Sequence, residues 1–192
     1  MNTAGRNSSI GPSTRAAWAP AFLDTHSAAV QPVSDHKPSA PGLELLVLGY
    51  GNTLRGDDGV GPQVAEAAAE LRLPGLEALA CPQLTPELAE PVSRARRVLF
   101  VDAALDSPRE VQLRELAPAD SSQVIAHAAD PRTILALSRD VFGKFPQAWW
   151  LTIPIQRMDI GGQLSPLAKA GCSTAIKIIK EFAQDEAAPS KF

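Results

Sequence analysis

From Leu43 onward, short apolar runs alternate with stretches of helical periodicity. The runs are Leu43 to Leu48, Leu76 to Ala80, Val98 to Val101 and Trp149 to Ile155, and a more polar, alternating stretch covers Val111 to Leu116. Continuous apolar runs predict strands buried on both faces, as in a parallel sheet, whereas alternation predicts an edge strand. Prolines mark four helix starts, at Gly61-Pro62, Thr85-Pro86, Asp130-Pro131 and Ser165-Pro166, because the first helical position loses nothing when its N–H is missing. Thr85, Asp130 and Ser165 are favoured N-cap residues. The helix from Pro62 carries Val64, Ala67, Ala68 and Leu71 on one face. The last, from Ser165 to about Gln184, carries Ala168, Cys172, Ala175, Ile176, Ile179 and Phe182. Both patterns are those of amphipathic helices packed on a sheet. The order β-α-β-α-β-β-α-β-α predicts an α/β fold, a three-layer α/β/α sandwich on a mostly parallel, twisted sheet of about five strands.

Residues 1–42 break from this pattern. They are rich in Ala, Ser and Pro, with Pro12, Pro20, Pro32, Pro38 and Pro41 among polar residues and no periodicity. A disordered N-terminal extension is expected there, and Trp18, Phe22, His26 and His36 within it are assigned no role. Residues 43–184 are expected to form one domain, followed by a short tail at 185–192. A chain of 192 residues suits one such domain with a sizeable core.

The formal net charge of -3 gives no electrostatic case for nucleic acid. No apolar run approaches the roughly 20 residues a bilayer span requires, and the N-terminus lacks the secretory pattern, so a cytoplasmic protein without a membrane partner is expected. Cys81 and Cys172 lie far apart without metal-ligand spacing. Two reduced, packed thiols are expected.

Candidate chemistry gathers first in Gly49-Tyr50-Gly51-Asn52-Thr53-Leu54-Arg55-Gly56-Asp57-Asp58-Gly59-Val60-Gly61, at the end of the first strand. Open α/β sheets bind ligands at the carboxyl ends of their strands. A dinucleotide fingerprint would need a third glycine where Leu54 stands, and a phosphate would meet Asp57 and Asp58. The loop therefore favours a cation over a pyrophosphate. One of the two acids is expected to cap the following helix, and capping does not require both.

Asp102 ends the hydrophobic run Arg97 to Val101, beside the first strand's loop, and helix capping or a loop hydrogen bond competes with a functional role there. His127, the only histidine after His36, stands three residues before Asp130. A lone histidine is usually a packing or surface residue. Carboxylates and an imidazole on loops at one rim, however, make a mixed O/N donor set suited to nickel, zinc or cobalt rather than calcium, with room for water or substrate. There is no G-x-S-x-G elbow, no H-E-x-x-H helix and no cysteine with a histidine nearby in sequence.

The run Leu46 to Pro62 closely resembles the opening of the nickel-iron hydrogenase maturation endopeptidases, and the resemblance continues through Val101-Asp102-Ala103, the His127 loop and Leu164-Ser165-Pro166, covering roughly residues 43–183. It implies an α/β sandwich and a protease, with aspartyl endopeptidase activity, that removes a short C-terminal extension from a nickel-iron hydrogenase large-subunit precursor once nickel has entered. The metal ligands and catalytic residues it implies are Asp58, Asp102 and His127. Nickel held by the substrate's cysteines would be the recognition signal, and zinc or cadmium could occupy the same ligands. Asp57 would support the site, and Gly49, Gly51 and Asn52 would let backbone approach the substrate. Two departures stand out: Asp58 where many relatives carry Glu, and Cys81-Pro82-Gln83-Leu84-Thr85-Pro86 in place of a Gly-rich turn. A non-proteolytic nickel-binding maturation chaperone and a Rossmann-like nucleotide-binding domain are the competing readings.

Overall fold

The computed structural model describes residues 42–105, 108–120, 130–161 and 163–184. The expected extension (but for Gly42), His127 and the expected tail lie outside the described residues. Five strands form one sheet: β1 (Leu45–Tyr50), β2 (Leu76–Cys81), β3 (Arg97–Ala104), β4 (Gln112–Leu116) and β5 (Gln147–Pro154). Their spatial order is β2-β1-β3-β5-β4, parallel throughout except for the antiparallel β4–β5 pair. The helices are α1 (Val60–Glu70), α2 (Ala89–Arg94), α3 (Pro131–Phe142) and α4 (Pro166–Gln184). The three-layer sandwich read from the sequence is the architecture observed.

The pleat sorts side chains into two cores. Val47, Leu99, Val101, Leu151 and Ile153 pack with α1 and α4, where the Trp149 and Phe182 rings meet edge-on, 5.1 Å between centroids. Leu46, Leu48, Val98 and Phe100 point the other way, onto α2 and α3. Every residue of β1 is buried, as a central parallel strand demands.

β2 departs from the expectation of burial on both faces. It is the second edge strand, none of its side chains is fully buried, and Leu79 is 37% exposed. Leu76 and Ala78 still lean on the α1/α4 core, while Glu77 faces water as an edge position permits.

The helix starts follow the prolines with two exceptions. Asp130 Oδ1 accepts the Arg132 N–H at 2.8 Å and Ser165 Oγ accepts the Ala168 N–H at 3.2 Å, each just before its proline. Thr85 makes no capping hydrogen bond, because Pro86 opens a 3-10 turn, Pro86–Leu88, before α2. Helix α1 begins at Val60, two residues ahead of Pro62, because a 3-10 turn over Gly56–Gly59 runs directly into it. Pro62 still lies in the first turn, where its missing N–H costs nothing.

Helix α1 presses unusually close to the sheet. A Cβ on Gly49 would lie 1.9 Å from the Gly61 carbonyl oxygen, and one on Gly61 would lie 2.2 Å from that of Tyr50 and 2.6 Å from that of Val101. Glycine at both positions lets the helix rest on the β1–β3 backbone, which fixes the acid-bearing turn at the strands' carboxyl ends. Among the described residues no helix is long and apolar enough to cross a membrane.

Candidate functional site

The two adjacent acids divide between the layers of the sandwich. Asp57 is wholly buried and turns toward α4, where its carboxylate accepts the backbone N–H groups of Ser165 (2.5 Å), Gln156 (2.9 Å) and Arg157 (3.3 Å). Burial works against its charge, but those donors outweigh it and hold the carboxyl below its ordinary pKa. Neither acid caps α1, whose N-cap Gly59 offers no side chain. Asp57 instead serves Ser165, the residue before α4. Backbone bonds from Gly56 to Gly161 and from Asp57 to Arg157 pin the same turn to the 156–161 loop.

Asp58 takes the other side. It is half-buried, and its Oδ2 accepts the Asn52 N–H at 3.1 Å, while Asn52 Oδ1 accepts the Leu54 N–H at 2.9 Å and closes the loop. Gly51 stands at φ 138°, and a Cβ there would lie 2.1 Å from the Asp58 carbonyl oxygen. Only glycine fits that position. Gly49, grouped with Gly51 and Asn52 as shaping this loop, lies within β1 and packs against α1.

Asp102 is not the last residue of its strand. β3 runs on to Ala104, paired with Pro154 of β5. Alternation puts the Asp102 side chain on the face of Val98 and Phe100, the α2/α3 side, and its Oδ1 accepts the Ala103 N–H at 2.8 Å. Burial pushes its carboxyl up to about 6 and the nearby charge of Asp58 adds to the rise, against the facing Tyr50 hydroxyl and the Ala103 N–H. Asp58 and Asp102 thus form a like-charged pair at one rim, fed by adjacent parallel strands.

His127 lies outside the described residues. The chain resumes at Asp130, close enough for its charge to act on the Tyr50 hydroxyl, which in turn faces Asp102. Among the described residues, no group of three His, Cys, Asp or Glu side chains comes together to hold a metal ion. Asp58 and Asp102 supply two oxygen donors, an incomplete shell for an ion such as nickel or zinc.

Two clefts flank the pair. One of about 370 Å³ runs between the Gly51–Leu54 loop and Cys81-Pro82, with Pro62 and Glu66 of α1 on its wall. The other, of about 510 Å³, lies toward β4 and is lined by Asp102, Leu105, Gln112, Arg114 and Trp150. The cysteines contribute no nucleophile. The Cys81 thiol donates to the Gly49 carbonyl at 3.7 Å and burial raises its pKa, while burial, with the Asp57 charge adding, pushes Cys172 up to about 11.

Tyr50 and Trp150, which no spacing or motif singles out, lie beside Asp102. The signal was present, since a tyrosine at the end of an otherwise apolar buried strand brings a hydroxyl that needs a partner.

No family model and no curated protein sequence matches the chain. Solved structures do. A NiFe hydrogenase maturation protease, HybD from Thermococcus kodakarensis, shares 25% identity over 73% of this chain and 99% of its own, with a TM-score of 0.56. HycI, a NiFe hydrogenase maturation protease from Thermococcus kodakarensis KOD1, shares 21% over 75% and 94%, with a TM-score of 0.60. The hydrogenase maturating endopeptidase HybD from E. coli shares 22% over 70% and 88%, with a TM-score of 0.55.

Proposed function

We propose that this chain, which has the fold of the NiFe hydrogenase maturation proteases, is itself a maturation endopeptidase, working in the cytoplasm on the precursor of a nickel-iron hydrogenase large subunit and removing its C-terminal extension after nickel insertion. The observation that carries this reading is the pairing of Asp58 with Asp102 at the carboxyl ends of β1 and β3, while Asp57 is consumed by backbone donors.

Two carboxylates make a poor resident metal site but a good partner for an ion that arrives with cysteine ligands of its own. Asp58 and Asp102, with His127 from the loop before α3, would complete the coordination of the substrate's nickel. That coordination distinguishes a loaded precursor from an empty one and sets the scissile segment against the rim. The nickel would polarise the scissile region or a water. The chain's own residues hold the ligand carboxylates in place: Asn52 through its N–H to Asp58, Ala103 through its N–H to Asp102. The first-strand loop speaks against the nucleotide reading, since Leu54 stands where a third glycine would be needed and Asp57 and Asp58 would face a phosphate.

Mass spectrometry of a nickel-loaded and a nickel-free large-subunit precursor, each incubated with this protein, tests the proposal. Loss of a C-terminal peptide from the loaded precursor alone is the expected result. Complex formation without a mass change would replace the protease with a nickel-dependent chaperone.

A further inference from the structure

Tyr50 is 8% exposed, and its hydroxyl oxygen is buried without a partner of full hydrogen-bond geometry. The same holds for the indole nitrogen of Trp150. A buried polar atom left unpaired costs free energy and calls for an explanation. The two side chains pack in one cluster, and the Tyr50 hydroxyl lies near both Asp102 and Trp150. All three residues lie on the α2/α3 face of the sheet, with Trp150 opposite Phe100 and Thr152 opposite Asp102 in the β3–β5 register. Trp150 is held in place from β4, where the Arg114 guanidinium lies 5.3 Å from the centre of its ring.

The donor and acceptor capacities allow one order only. An indole N–H can donate and never accept, a phenol can do both, and an ionised carboxylate can only accept. We propose that Trp150 and Tyr50 are positioning residues, a buried relay in which Trp150 Nε1–H donates to Tyr50 Oη and Tyr50 O–H donates to the Asp102 carboxylate, fixing the orientation of that acid at the rim. The Ala103 N–H already holds Asp102 Oδ1. A second donor from Tyr50 sets the plane of the carboxylate and leaves its remaining lone pairs for the ligand. Groups that orient a ligand carboxylate in this way are typically worth 10–100-fold in activity or affinity.

The role of Asp102 in cleavage rests on the reading given above, so the test has an arm that does not depend on it. In ¹H–¹⁵N spectra of the full chain the three tryptophans give three indole N–H signals, and Trp150→Phe identifies one by its loss. Tyr50→Phe is expected to move the Trp150 signal. Asp102→Asn is expected to move it in the parent chain and to leave it unmoved in the Tyr50→Phe background. A Trp150 signal indifferent to Tyr50→Phe, or one that follows Asp102→Asn equally in both backgrounds, overturns the relay. In the cleavage assay Tyr50→Phe is expected to lower kcat about tenfold or more with KM unchanged, and adding Trp150→Phe should lower it little further, since residues in one network are not additive. Unaltered kcat in Tyr50→Phe also overturns it. If the parent chain cleaves nothing while the spectral pattern holds, the relay stands and the protease reading falls.

Discussion

The carboxylate of Asp57 accepts the backbone N–H of Ser165 across 108 positions of the chain, tying the turn that follows the first strand to the start of the last helix. With the bonds from Gln156 and Arg157, it accepts three backbone N–H groups from the 156–165 segment.

Asp57→Ala leaves the buried Ser165 N–H without an acceptor and opens the part-buried Gln156 and Arg157 N–H groups to water, and should cost about 2 kcal/mol or more, at roughly 1–3 kcal/mol for a buried group left unpaired. Urea denaturation followed by circular dichroism measures the loss. Because the folded-state pKa of Asp57 lies below its unfolded value, its contribution is present above the unfolded pKa and is lost as pH falls through the folded one. The parent chain should therefore weaken on acidification below about pH 4, and Asp57→Asn should flatten that limb. A variant within 0.5 kcal/mol of the parent at pH 7 would show that these bonds do not hold the turn.

Asp102 runs in the opposite direction. Its pKa, raised to about 6, exceeds the unfolded value, so its contribution is full below about pH 4 and is lost as pH rises through 6. Asp102→Asn should therefore be more stable than the parent above pH 6, on the order of 1–2 kcal/mol after allowance for solvent screening, with the difference closing toward pH 4. The same variant should process no precursor. A stability gain coupled to loss of cleavage is the signature of an acid kept for function at the expense of the fold.

Gly61→Ala would drive a methyl group into the carbonyls of Tyr50 and Val101, at 2.2 and 2.6 Å. Backbone cannot swing aside as a side chain can, so the expected cost is about 3 kcal/mol or more, read as a fall in Tm of 6 °C or more for a domain of this size. A melting temperature equal to the parent's would mean that α1 can lift off the sheet.

Asp58→Asn and His127→Ala should each reduce cleavage of the nickel-loaded precursor about a hundredfold or more while changing stability by less than about 1 kcal/mol. For Asp58 the reason is visible: it is half-buried and accepts one loop N–H. Processing at the parent rate by either variant, measured by mass spectrometry of the precursor, would remove that residue from the site.

Much of the fold was legible because the sequence repeats one signal. Proline follows Thr85, Asp130 or Ser165 at three starts, and at Asp130 and Ser165 the side chain does cap the helix. The four apolar runs located β1, β2, β3 and β5, and the polar alternation of Val111 to Leu116 marked β4 as an edge. The run Leu76 to Ala80 misled because alanines are tolerated at both buried and exposed positions, so an edge strand could pass for a central one. Within the site, spacing could not tell Asp57 from Asp58. Their difference arises from a 3-10 turn that turns one toward α4 and the other toward the Asn52 loop, and the partners of Asp57 lie about a hundred residues away. The packing of Gly49 against Gly61 is a tertiary contact of the same kind, invisible in a local pattern.

The contact between α1 and the β1–β3 backbone also decides where motion must occur during a docking event. The helix is seated on bare peptide groups and the acid turn is clasped by the 156–161 loop, so the Asp58 turn is held from two sides. On the proposed function, the bending needed for docking then falls to the precursor's tail.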